Sequence, residues 1–363
     1  MSNQNGSQSL KYEISDKRPQ KEFVGYSFSK FSKAKVKKEL IKCCKECKIE
    51  PACYWVAELI CAGHYLDIWD CIITCVAKHI HIGNPKLSIY IEKKYDDFRE
   101  IMFLGYQDNE IKARNNRKIR ALFTEIICIL CFSRKQHEFT NIKIDETHFN
   151  MTTLTETGFL EASSMEFAMP YFKKDDPTEL FIAMNEYKYS VEKTSNDHKA
   201  CYWIEWILEF LSVCRKKKTP CLCERREFAP VDMSLSDDPI WILWEIILDL
   251  SEKKGKIIEM INTSLLRMFC IRYTNATKKR RKFILYFATS LLTAPFPSNI
   301  PLFENKEKIK VIVDRCDDIY KQIKENEIKP DTDYLFNGLE SSNLEATIAK
   351  LDAMNSFSFI PRS

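Results

Sequence analysis

The chain has 363 residues, 45% of them apolar, with only 8 glycines and 13 prolines. Such a composition can bury a large core, and it excludes disorder and a glycine-rich β architecture. A net charge of +4 gives a weak overall field, so only local charge clusters can steer a partner.

Residues 1–25 are polar and read as a mobile segment without the apolar stretch of a secretory signal. Residues 26–135 carry helical periodicity. Ala52, Trp55, Val56, Leu59 and Ile60 share one face, followed by Trp69, Ile72 and Ile73, then by Ile119, Leu122, Phe123, Ile126, Ile127 and Leu130. Residues 136–175 include the threonine-rich stretch Met151 to Thr155 and read as an irregular connector with room for a short strand pair. Residues 176–300 return to helical spacing. Ala200, Trp203, Ile204, Ile207 and Leu208 come first, then Trp244, Ile247 and Leu248, then Phe283, Tyr286, Phe287, Leu291 and Ala294. Residues 301–363 begin with a helix near Ile309 to Ile323 and pass Pro330. They end in an amphipathic turn (Leu344, Ile348, Leu351), expected to dock on its own domain.

The two periodic regions repeat one another. Ala-Cys-Tyr-Trp stands at 52–55 and again at 200–203. A Trp-acid pair follows in each, at Trp69-Asp70 and Trp244-Glu245, and then a helix entered from a basic pair, Arg117-Lys118 or Arg281-Lys282. Three matches in one order point to duplication. The expected fold is therefore all-α: two tandem copies of one helical bundle joined by a short irregular connector. All six tryptophans (55, 69, 203, 206, 241, 244) are expected to face inward as core anchors. The second copy alone has an insertion at 212–238, broken by Pro220 and Pro230 and rich in cations, and such a loop on a rigid scaffold often carries function.

Candidate chemistries are sparse. No Gly-x-x-x-x-Gly-Lys-Ser/Thr cradle for phosphate occurs. Six scattered histidines give no thiol–imidazole pair of the kind a nucleophile needs. His79 and His81, two apart, do not share a helix face; one reads as a surface residue and the other as a helix cap. Zinc requires four ligands. Cys214, Cys221 and Cys223, with Cys201 or His198 nearby in sequence, form only a partial set. The fifteen cysteines fall largely at apolar helix positions and read as reduced thiols of an intracellular protein. No apolar run approaches a membrane span; the longest, Ile240 to Leu250, is broken by Glu245. The expectation is a non-enzymatic protein without cofactor or membrane association.

Basic clusters remain as the functional signal. Arg215, Lys216, Lys217, Lys218, Arg225 and Arg226 lie in the insertion, and Lys278, Lys279, Arg280, Arg281 and Lys282 precede the last matched helix. A further group is Arg114, Arg117, Lys118 and Arg120. Such residues neutralise phosphates without reading sequence. Equally, they cap helix C-termini or stay solvated, and Asp237 and Asp238 could neutralise the insertion from within.

The run from Ala52 to Trp69 (Ala-Cys-Tyr-Trp-Val-Ala-Glu-Leu-Ile-Cys-Ala-Gly-His-Tyr-Leu-Asp-Ile-Trp), continuing to Ile82-Gly83-Asn84-Pro85, resembles the C-terminal helical collar of clamp-loader-type AAA+ ATPases. The likeness covers about residues 36–132 and, more weakly, 180–294. It departs from the family where Lys78-His79-Ile80-His81 replaces an acidic pair, and the ATPase module is absent. The chain as a whole is similar to an uncharacterised protein group of the nucleocytoplasmic large DNA viruses. The resemblance implies a nucleic-acid-associated scaffold, or a replication or transcription accessory factor, acting in host cytoplasm, nucleus or virion. The alternative is a structural or assembly protein that binds other proteins through its helical faces.

Overall fold

A computed structural model describes residues 12–107, 109–156, 158–219, 221–296, 300–303 and 305–328. Among them the regular structure is helical, and the one β contact is an isolated bridge between Tyr26 and Ser32. The strand pair expected in the connector does not form. Residues 146–149, 151–156 and 169–171 are short helical turns instead.

The first apolar region makes α1 (Lys33–Lys45), α2 (Ile49–Cys61), α3 (Tyr65–Thr74), α4 (Leu87–Gly105) and α5 (Arg117–Phe132). The apolar faces read from sequence turn inward: Ala52, Val56, Leu59 and Ile60 on α2, and Ile119, Phe123, Ile126 and Ile127 on α5, are buried. Gly63 ends α2 with φ +74°, the left-handed conformation that glycine adopts without strain. Its N–H bonds to the Ile60 carbonyl and the His64 N–H to that of Leu59.

The second region makes α6 (Phe181–Glu192), α7 (Asp197–Lys216), α8 (Ile240–Lys254), α9 (Lys256–Cys270) and α10 (Lys282–Thr293). In each half the first two helices pack on one another, the second packs on the fifth, the first on the third, and the fourth on the fifth. Residues 62–64 join α2 to α3, whereas 217–239 separate α7 from α8. The halves meet through α4 against α9. Ion pairs Arg272–Glu110 at 3.4 Å, Arg281–Asp70 at 2.9 Å and Arg267–Glu92 cross the seam.

Five tryptophans are buried (69, 203, 206, 241, 244), but Trp55 is only half-buried. Its ring sits on the flank of α2, edge-on to Phe31 at 5.5 Å and to Tyr54 at 5.3 Å. The connector wraps the second half: Phe149 packs on Trp206, Phe159 on Tyr202, and the buried Glu186 carboxylate accepts the N–H groups of Glu161 and Ala162.

Between α3 and α4 the chain forms a π-helical turn, Cys75–Ile80, and a 3₁₀ turn, His81–Gly83, both packed on α10. His79 and His81 are both buried there, so the expected surface role does not hold, whereas His81 does cap the helix end, its N–H donating to the Val76 carbonyl. His81 has φ +30°, a strained value for a side-chain-bearing residue. Its Nε2 lies 2.9 Å from the His137 carbonyl, and the Gln136 N–H donates to the His79 carbonyl. At Gly83 an added Cβ would stand 2.6 Å from the Arg134 carbonyl oxygen. Gly83→Ala must therefore displace backbone, and an overpacking cost of about 1–3 kcal/mol is expected in urea denaturation.

Burial holds the His79 pKa down to about 4 against the pull of Glu138, with Lys45, Lys78 and His81 adding to the depression, and burial lowers His81 as well. Between about pH 6.5 and 4 the unfolded chain binds protons that these folded imidazoles refuse, so stability is lost as pH falls through that window. Denaturation midpoints at pH 7 and pH 5 should show the loss. A His79→Gln/His81→Gln chain should show a smaller one, and an unchanged pH dependence would contradict the assignment.

Residues 12–25, expected to be mobile, are held in place from Tyr12 onward. Ile14 and Phe23 are buried, and Asp16 pairs with Arg18 at 2.8 Å. The loop that follows is pinned by Glu58, a buried carboxylate accepting Ser27 Oγ at 2.7 Å and the Ser29 N–H at 3.0 Å. The C-terminal helix read near 309–323 is two helices, α11 (Lys306–Asp314) and α12 (Asp318–Lys324), which return to pack on α5 and α2. The amphipathic turn at Leu344, Ile348 and Leu351 lies outside the described residues. No helix among the described residues is long and apolar enough to cross a membrane.

Candidate nucleic-acid interface

The eleven cations singled out in the sequence divide into two kinds. Arg226 is buried, its Nη2 2.6 Å from Asp176 and its Nε 2.8 Å from Glu245. Burial opposes its charge, and the two carboxylates outweigh that and raise its pKa. Arg281 is also buried. Its Nη1 donates to the carbonyls of Phe269 at 2.9 Å and Ile271 at 2.5 Å, closing the C-terminus of α9, and its Nη2 to Asp70. Lys278 pairs with Asp238 at 2.5 Å, Lys279 with Glu209 at 2.6 Å and Lys282 with Glu205 at 2.7 Å. These five residues serve the fold first. The acid expected to neutralise the insertion, Asp238, is taken by Lys278 and by the Tyr273 hydroxyl.

Arg215, Lys216, Lys217, Lys218 and Arg225 are exposed, and no ion pair engages them among the described residues. The first four end α7, where cations complement the helix dipole. Arg280 is exposed too, and among the described residues its guanidinium makes a 3.4 Å hydrogen bond to Thr277 Oγ1 and no ion pair. In the earlier group, Arg114 and Arg120 are buried in the core of the first half, while Arg117 is exposed beside Asp317.

Tertiary structure adds cations that were not singled out. Helix α1 holds six lysines in thirteen residues. Lys33 and Lys37 pair with Asp67, which lifts the Lys37 pKa although burial works against its charge. Lys35, Lys38 and Lys42 are exposed and stand at i, i+3 and i+7, one ridge of the helix. Their spacing, opposite Val36, Leu40, Cys43 and Cys44 on the buried side, was the available signal.

A small cavity of about 160 Å³ places Lys37 and Ile41 of α1 beside Arg280 and Arg281. Next to Arg280 in sequence, Lys279 reaches Glu209 on α7. Exposed cations thus stand at three places, the α7 end, Arg280 and the α1 ridge, and the ridge lies roughly 100–160° round α1 from the Lys37 side that meets Arg280.

The partial metal set is not assembled. Cys214 adjoins Cys221, whereas Cys223 faces Arg226 and Asp176, and burial pushes the Cys221 and Cys223 thiols up to about 12. Among the described residues no group of three His, Cys, Asp or Glu side chains is arranged to hold a metal ion. All fifteen cysteines are free. A larger cleft of about 1190 Å³ opens between α4 and α9, with Phe103 exposed at its rim and Leu104 exposed beside it. Comparison with family models, with curated proteins and with solved structures finds no match for this chain.

Proposed function

We propose that this chain is a non-enzymatic nucleic-acid-associated scaffold, built as two tandem collar-like bundles and acting inside a cell infected by a large DNA virus, or in its virion, as a replication or transcription accessory factor. The observation that carries the binding part is two groups of exposed cations without ion pairs among the described residues, Arg215–Lys218 at the end of α7 and Lys35, Lys38 and Lys42 on α1, one in each half. Within each group like charges crowd one another, and a polyanion lying along the group relieves that repulsion. The duplication rests on the shared sequence order and on the like pairing of helices in each half. The collar reading and the viral setting rest on the sequence resemblance alone.

The contact would be to phosphates, so affinity should be indifferent to base sequence and steep in salt, with a log–log slope of about −0.9 per phosphate neutralised on duplex DNA. Fluorescence anisotropy with generic duplex and single-stranded oligonucleotides at several salt concentrations tests this. A second reading, an adaptor or assembly protein, is favoured by the α4–α9 cleft with Phe103 and Leu104 exposed beside it. Absence of salt-dependent retention would sink the first reading and leave the second.

A further inference from the structure

We propose that the cleft between α4 and α9 is the docking groove for a basic amphipathic helix of a partner protein. One face of α4 forms its long wall. Tyr95, Arg99, Met102 and Tyr106 recur at helical spacing and line it together with Phe103. From Glu92 to Phe103 that wall runs about 17 Å, roughly three turns. Arg267 and Met268 of α9 form a second wall, and Pro230, Val231 and Leu235 of the insertion a third. The volume, about 1190 Å³, exceeds the ~300–1,000 Å³ of pockets that take small molecules. Its length suits a helical segment better than a compact ligand.

Two independent features select the occupant. The first is apolar. Phe103 is 71% exposed, and Tyr95, Met102, Tyr106 and Leu235 are half-buried. Aromatic and methionine side chains gathered along a groove are what the apolar face of an amphipathic helix recognises. The second is charge. Five carboxylates line the cleft against three guanidiniums. Arg267 pairs with Glu92 and Arg272 with Glu110. That leaves Asp96, Glu100 and Asp232 against Arg99, and these three carboxylates are exposed without ion pairs among the described residues. On a chain of net charge +4 this is a local excess of acid, and it favours a cationic partner. The chain's own segment 329–363 has five acids against three bases. It carries the sign of the rim and is the poorer occupant.

The docking rests on the adaptor reading and needs no nucleic acid, so it stands or falls apart from oligonucleotide binding. The probe is a fluorescein-labelled peptide of about 18 residues, ~27 Å long as a helix, with Leu at i, i+3, i+4 and i+7 and Lys elsewhere. Anisotropy with the full chain should show saturable binding at one equivalent. The same peptide with Glu in place of Lys should bind at least tenfold more weakly, and so should one of equal composition without helical period. Phe103→Ser, a change at an exposed residue, should weaken binding at least tenfold. Asp96→Asn with Glu100→Gln should flatten its salt dependence. Glu307→Gln, on α11 and outside the cleft, should change nothing. No saturable binding, equal affinity for the two charge forms, or a Phe103→Ser chain that binds as wild type does overturns the proposal. Displacement by a peptide of residues 329–363 would assign the groove to the chain's own tail, and dimerisation lost in Phe103→Ser would assign it to a second copy; either result overturns it too. Capture of a partner protein that is insensitive to Phe103→Ser would overturn the groove and leave the adaptor reading standing.

Discussion

Arg226→Ala should lower the stability of the protein by about 3–5 kcal/mol, the cost of stranding a buried charge. The stranded charge is Asp176, whose side chain is fully buried. It accepts Arg226 Nη2 at 2.6 Å, the Lys173 N–H at 2.8 Å and the Glu224 N–H at 2.9 Å. Two amides alone are a poor substitute for a guanidinium that also bonds the Tyr171 carbonyl and Glu245. The pair is itself expensive to desolvate. Arg226→Met with Asp176→Leu should therefore recover much of the loss, because no fully buried charge is left unpaired and the Glu245 carboxylate is one-third exposed to water. Urea denaturation of the two single variants and the double variant measures this. A loss below about 1 kcal/mol in Arg226→Ala, the scale of an exposed pair, would mean that Arg226 is not the buried anchor described.

Arg120→Met should cost about 3 kcal/mol and should act locally. The Arg120 guanidinium is a junction for three segments distant in sequence. It donates to the Tyr12 carbonyl at 3.1 Å, to Asp317 at 3.0 Å and to the Arg114 carbonyl at 2.7 Å, and it lies 3.6 Å from the centroid of the Tyr320 ring. Charged hydrogen bonds contribute about 1.5–3 kcal/mol each when buried, and a desolvated cation–π contact about 2 kcal/mol. Methionine keeps the stem's volume and loses all of these. Hydrogen exchange should show protection lost in residues 12–18 and in α11 and α12, with α7 to α10 retaining theirs. Uniform loss across the chain would contradict a local latch.

Most of the fold was legible in the sequence because helices are set by periodicity. The faces of α2, α5, α7, α8 and α10 follow from i, i+3, i+4 spacing, and burial agrees at Val56, Phe123, Ile204, Ile247 and Phe287. The failures have physical reasons. Trp55 lies on the apolar face by spacing, yet whether a neighbour covers a helix flank is tertiary. The two-residue spacing of His79 and His81 argued against a shared face only if the helix continued, and it becomes a π turn there. Cations were harder still. Arg226 and Arg225 are adjacent in sequence, one buried and one exposed, and only the position of Asp176, fifty residues earlier, distinguishes them. Lys35, Lys38 and Lys42 were passed over because single lysines on a helix are commonly solvated. Only the fold shows that they stay exposed while Lys33 and Lys37 of the same helix are taken by Asp67.

The most direct test of the two cationic groups as one nucleic-acid-binding surface is the salt dependence of oligonucleotide binding in four chains: wild type, Lys35/Lys38/Lys42→Gln, Arg215/Lys216/Lys217/Lys218→Gln, and the two sets combined. These residues are exposed and unpaired, so folding should survive in each. Each phosphate contact removed should lower the slope by roughly one unit. The account predicts that both partial variants lose slope and affinity for every sequence alike and that their losses add in the combined chain. A wild type without salt-dependent binding, or a partial variant indistinguishable from it, would contradict the account.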